Sequence, residues 1–180
     1  MHTGAIGPFP AGVDPDEYDR RRRRVLWRLP TGLYLCGSRY GGQRNLMTCN
    51  LVTQVATAPK LVAVAVEQQA LTLELIEAGG AFSLSLLDRE DKVVVRTFAK
   101  PAIEDAEAKT LSNLPYEDAP VTGSPIPAGA VAWIDCRLER TVELGSHVLC
   151  IGEVVDAGLA PGGDDTPVLR SEDTRMNYGG

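Results

Sequence analysis

The sequence predicts a mainly β chain, folded as a closed or split barrel with few and short helices. Three observations carry this. Short apolar or alternating runs recur from Gly32 onward. Turn residues punctuate them, with 18 Gly and 12 Pro among 180 residues. The longest alternating run, 130–144, is followed by Gly145-Ser146 and a second alternating run, the pattern of a hairpin closed by a two-residue turn. A content of 44% hydrophobic and 23% charged residues is that of a globular domain with a sizeable core.

Residues 1–15 are rich in Gly and Pro, lack periodicity and are expected to form a flexible N-terminal arm; residues 16–180 are expected to form one domain. Asp14-Pro15-Asp16-Glu17 opens a helix with acids in its first turn and arginines later, and Pro30 limits it to about Trp27. The run Arg20–Arg24 has two readings, a solvated helix face or an attraction for a phosphate-bearing cofactor or acidic partner. Gly32–Arg39 is a strand, and Gly41-Gly42 turns it.

Leu46–Ala56 follows as one strand. Its odd positions, Met47, Cys49, Leu51, Thr53 and Val55, are mostly apolar. Thr48, Asn50 and Gln54 share the other face. That face suits either a wet exterior or a polar heterocycle, and its lack of Lys and Glu favours the heterocycle. Leu61–Val66 has the pattern of a strand covered on both sides. Residues 71–78 form a short helix ended by Gly79-Gly80. Ala81–Leu87 alternates, and Asp88 and Asp91 introduce a second short helix through about Phe98. Residues 101–127 are loop-rich, with a helical turn near Glu104–Lys109.

In the hairpin, Ala130–Leu144 pairs with His147–Val155 and Leu144 faces His147. The even positions of the first strand then share an apolar side with His147, Leu149, Ile151 and Glu153. This places His147 at the mouth of the barrel. Arg140 and Glu153 are expected to pair on that side, because a lone charge there is costly.

Lys plus Arg number 18 and Asp plus Glu 24, a net charge of -6, with an isoelectric point near 5.0. This argues against nucleic-acid binding, which needs clustered cations. No apolar run is long enough to span a membrane. The N-terminus lacks the basic and apolar regions of a secretory signal. Cys36, Cys49, Cys136 and Cys150 are dispersed without a CxxC pair, as expected of reduced thiols in a cytoplasmic protein. With only His2 and His147, and no HExxH or EF-hand loop, no metal site is expected. The P-loop, GxGxxG and GxSxG patterns are absent.

The order of these segments resembles the flavin reductase-like, FMN-binding split-barrel family over roughly residues 25–178. Two stretches carry the resemblance best. One is Met47-Thr48-Cys49-Asn50 with Pro59 nine residues later. The other is Gly145-Ser146-His147 leading to Ile151-Gly152-Glu153-Val154. The resemblance implies a homodimeric, six-stranded split β-barrel of Greek-key topology with short flanking helices. It implies a flavin, FMN more often than FAD, and NAD(P)H as cosubstrate. It also implies a flavin reductase passing hydride from nicotinamide to flavin N5, with a monooxygenase or an electron-transfer protein as partner. The same barrel also serves flavoredoxin-like electron carriers and non-catalytic flavin- or haem-binding modules.

The residues carried over are Met47, Thr48, Cys49, Asn50, Gln54, Val55 and Ala56 along the flavin. Family members commonly have Ser or Thr near Ala56. Gln69 and Thr72 match the phosphate region, and Thr72 equally suits a helix start. Phe98 and Lys100 match an aromatic and a basic contact, and Phe98 also suits plain core. His147 matches a histidine beside flavin and nicotinamide in a Gly-Asp-His motif; here Ser146 takes the middle place. Arg175 and Tyr178 fall in a segment that closes over the site in some members.

Overall fold

The computed structural model describes residues 5–174. Helix α1 (Pro15–Leu26) begins as expected: the Asp14 carboxylate accepts from the Glu17 N–H at 2.7 Å, Pro15 opens the first turn, and Arg23 and Arg24 lie in the last. None of its residues is buried. The described part of the arm folds back onto it. Phe9 meets Tyr18 edge-on at 6.3 Å, and Arg22 stacks over Phe9 at 5.8 Å and donates to the carbonyls of Ile6 and Pro8.

The strands are β1 (Tyr34–Tyr40), β2 (Gln43–Cys49), β3 (Val52–Thr57) and β4 (Lys60–Glu67). Helix α2 (Leu71–Gly79) leads to β5 (Ala81–Leu86), and α3 (Val94–Thr97) ends at Phe98. Four short strands follow: β6 (Glu104–Asp105), β7 (Thr110–Leu111), β8 (Leu114–Asp118) and β9 (Pro125–Pro127). The hairpin β10 (Ala132–Leu144) and β11 (His147–Leu159) completes the set.

The principal sheet is antiparallel, with seven strands in the order β2-β1-β5-β10-β11-β4-β3. Its two edges, β2 and β3, are consecutive in the chain and joined only by Asn50 and Leu51. Laid flat, seven strands would put those edges about 29 Å apart at ~4.8 Å per gap. From Cys49 to Val52 the chain reaches at most ~11 Å, three Cα steps of 3.8 Å. The sheet must therefore curl until its edges approach, which makes a barrel split between β2 and β3. The expected mainly β split barrel stands, with one strand more than expected. Leu46–Ala56 is not one strand but the end of β2, a corner at Asn50, and β3.

The interior holds Cys36, Val64, Val66, Phe82, Leu84, Cys136, Val148 and Cys150, and α2 lays Leu73 and Ile76 into the same core. A second core on the other side of β1 and β2 gathers Leu35, Leu46, Val95, Phe98, Leu111, Tyr116 and Leu169. Gly80 ends α2 at φ 66°, the left-handed cap expected there. Residues 101–127 build the small sheet β6-β7-β8-β9 rather than loops with a helical turn. Its strands are two to five residues long, too short to leave a periodic signal.

In the hairpin, Leu144 faces His147 as expected, and Gly145 takes φ 71°. The side assignment is corrected. The register slips between Leu138 and Arg140, so Cys136 shares the interior with Cys150 while Val142 and Leu144 share the outer side with His147 and Leu149. Arg140 stands opposite Ile151 as the turn register requires, but the bulge beyond it brings Arg137 opposite Glu153, and Glu153 forms its ion pair with Arg137, at 3.9 Å, rather than with Arg140. All four cysteines are buried free thiols.

Candidate functional site

A cleft of about 310 Å³ opens where the end of β2 meets the start of α2 and the segment 98–101. That volume lies at the low end of the ~300–1,000 Å³ typical of ligand pockets. Sixteen residues line it, and only Glu67 and Lys100 are charged. Met47, Thr48, Cys49, Asn50, Gln69, Thr72, Phe98 and Lys100 all line it. The fold thus brings eight of the eleven candidate cofactor residues around one space.

Each wall has a local cause. On β2, the Thr48 N–H donates to the Phe98 carbonyl at 3.0 Å, and its hydroxyl donates to the Val95 carbonyl at 2.6 Å. The Thr48 proton is therefore spent on α3, and what its oxygen offers the cleft is acceptor capacity. Phe98, 1% exposed, belongs to the second core and to the cleft wall together. Burial pushes the Cys49 thiol up to about 12, so the sulfur is neutral and unreactive near neutral pH.

Asn50 sits at the corner between the β2 and β3 ladders. It is 7% exposed, and its Oδ1 is buried without a hydrogen-bond partner. A buried orphan acceptor costs about 1–3 kcal/mol. A ligand donor entering the cleft would recover that cost.

At the opposite end, α2 presents its N-terminus. Ala70 caps it without a side-chain hydrogen bond, and Gln69 and Lys100 line the cleft with it. Unpaired N–H groups with a nearby cation suit an anion such as phosphate.

Gln54, Val55 and Ala56 stand outside the cleft of this chain. The corner at Asn50 sends them onto the edge strand β3, and a register shift between Gln54 and Ala56 turns Val55 outward, 48% exposed. The Gln54 amide donates to the Ala56 carbonyl at 3.0 Å. His147 is not among the lining residues. It lies opposite Glu67, which is one, and its Nδ1 is 2.9 Å from the Ser146 hydroxyl. This places His147 one strand away from the cleft wall. Arg175 and Tyr178 lie outside the described residues.

Sequence reasoning missed Asn45, Leu33 and Ser171 as lining residues. Asn45 precedes the motif, and its polarity inside the barrel was a signal available in the run 43–49. Ser171 is brought in by its hydroxyl contact with Thr31 at 2.7 Å and by the bridge between Gly32 and Arg170, which no local pattern announces. Among the described residues no cluster of three or more His, Cys, Asp or Glu could hold a metal. No described helix is long and apolar enough to cross a membrane.

The flavin reductase-like domain family matches residues 26–178. The chain belongs to that family. An NADH-dependent FAD reductase of Streptomyces globisporus is 32% identical over 161 residues, covering 87% of this chain and 84% of the relative. A solved Streptomyces globisporus NADH:FAD oxidoreductase in complex with NAD and FAD fragments superposes with a TM-score of 0.73 at 27% identity, covering 89% and 92% of the two chains. The styrene monooxygenase flavin reductase of Pseudomonas putida superposes with a TM-score of 0.66 at 29% identity, covering 77% and 87%. In this flavin reductase-like chain the match begins at residue 26, so it leaves out the arm and nearly all of α1.

Proposed function

We propose that this chain is an NADH-dependent flavin reductase that takes FMN or FAD in the cleft and hands reduced flavin to a monooxygenase. The observation that carries the reading is the buried, unpartnered Asn50 acceptor in an otherwise neutral cleft of the family fold.

Bound flavin would supply the hydride-accepting ring. The chain's part is to hold it, orient it and set the local field. Asn50 would meet the hydrogen-bonding edge of the ring, with Thr48 offering a second acceptor. Met47 and Phe98 supply apolar contact. The neutral Cys49 thiol would keep an anion away from a ring that gains negative charge on reduction, and Lys100 and the α2 N-terminus would hold the phosphate. His147 would position the nicotinamide at the rim. No side chain is required to abstract a proton for hydride transfer.

Two further features belong to the proposal. Val142 and Leu144 are 40% and 54% exposed on the outer side of the hairpin, an apolar strip that supports a homodimer. Monooxygenase partnership rests on the named role of the Pseudomonas relative.

The test is NADH oxidation followed at 340 nm with and without added FMN or FAD. Flavin-dependent turnover is expected. A tightly held flavin reduced only by a protein donor would favour an electron carrier, and absence of flavin binding would refute the reading.

A further inference from the structure

We propose that Asn45 is a positioning residue that sets the gap across the phosphate end of the cleft. It thereby decides how strongly the site prefers a phosphorylated flavin to riboflavin. The inference rests on the flavin reading above and adds to it a lining residue whose amide is engaged at both ends by the protein itself.

Asn45 lies on β2, is 2% exposed, and uses both ends of its amide. Nδ2 donates to the Thr72 hydroxyl at 2.8 Å, and Oδ1 accepts from the Ala102 N–H at 2.7 Å. One side chain therefore ties the first turn of α2 to the end of the segment that carries Lys100. Three residues along β2, Thr48 holds the start of that segment through the Val95 and Phe98 carbonyls. Ala99, Lys100 and Pro101 arch between these two fastenings and line the cleft.

The α2 N–H groups and the Lys100 ammonium are the two groups suited to a phosphate. Their separation is fixed from both sides by β2, and the Asn45 side chain bonds to both walls at once. Asparagine is chemically required for this arrangement. It must donate in one direction and accept in the other, and buried amides left half-paired are costly. The ring end of the cleft, around Met47, Cys49 and Asn50, does not depend on these bonds. Loss of Asn45 should therefore be felt at the phosphate and not at the ring.

The test is fluorescence titration of the wild-type protein and variants with FMN and with riboflavin, beside thermal melts. Asn45→Ala is expected to weaken FMN tenfold or more and riboflavin by less than threefold. Thr72→Val should shift the ratio in the same direction, and Thr72→Ser, which keeps the hydroxyl, should return it towards the wild-type value. Asn45→Asp can accept from both partners, because the Thr72 hydroxyl can turn to donate. It should keep the geometry, retain riboflavin binding, and weaken FMN by placing a carboxylate near the phosphate. If Asn45→Ala does not fold, Thr72→Val and its rescue by Thr72→Ser carry the test. Equal weakening of both flavins, no weakening of either, or a wild-type protein indifferent to the phosphate overturns the inference alone. A wild-type protein that binds neither flavin overturns the parent reading as well.

Discussion

Asn50 and His147 make different demands on the cleft. Among the described residues the Asn50 Oδ1 has no partner, so the fold they form gains nothing in stability from it. Asn50→Leu is expected to leave the melting temperature unchanged or raise it, while weakening flavin binding by about 1–2 kcal/mol, roughly 5- to 30-fold. Paired melts and flavin titrations check this; a variant that is less stable yet binds flavin normally would make Asn50 a structural residue. His147 stands one strand from the cleft wall, opposite Glu67. On the proposed reading, in which His147 would hold the nicotinamide rather than the flavin, His147→Ala should slow anaerobic reduction by NADH in stopped flow while changing flavin affinity by less than about twofold. Reduction at the wild-type rate would remove His147 from the mechanism.

The strand elements depend on one close approach. A Cβ built on Gly152 would lie 2.7 Å from the Phe82 ring and 2.9 Å from the Cys136 Cβ. Phe82 fills the barrel interior because β11 offers no side chain there. Gly152→Val is therefore expected to destabilise the fold by about 1–3 kcal/mol through overpacking, read as a lower denaturant midpoint. An unchanged midpoint would mean that the barrel interior is looser than described.

Elements with strong local chemistry were legible in the sequence. The Asp14 cap, the Gly80 cap, and the Leu144–His147 register at Gly145-Ser146 each follow from a few adjacent residues. The corner at Asn50 was not legible, because an alternating pattern of period two continues across it. The bulge beyond Leu138 was hidden for the same reason, and it puts Cys136 and Leu138 on the side opposite Val142, Leu144 and His147. The cleft wall was legible where it follows one stretch of chain, Met47 to Asn50. Beyond the corner, Gln54, Val55 and Ala56 fall outside the cleft of this chain. The wall was missed where a distant segment supplies it, at Ser171.

At the scale of the whole molecule, the barrel encloses all four thiols. Burial pushes Cys49, Cys136 and Cys150 up to about 12 and lifts Cys36 well above the ordinary thiol range. Unfolded thiols ionise near ~8.5. Between that value and about 12 the folded chain holds more protons than the unfolded one. Stability is then complete below pH ~8.5 and falls as the pH rises through this window, by up to about 1.4 kcal/mol per pH unit for each thiol. Tyr34, whose pKa is also raised by burial, acts in the same direction. Guanidinium unfolding at pH 7.5 and pH 10 should show a clearly lower midpoint at pH 10. Equal midpoints would contradict the burial of the thiols.

The curl that brings β2 near β3 also creates the cleft, since it exposes the corner residue Asn50 to the start of α2. A crystal structure of the protein grown with FMN tests this most directly. The ring edge should lie against Asn50 and Thr48, with the phosphate between the α2 N-terminus and Lys100. Bound FMN seated elsewhere, with this cleft empty and Asn50 unpaired, would contradict the account.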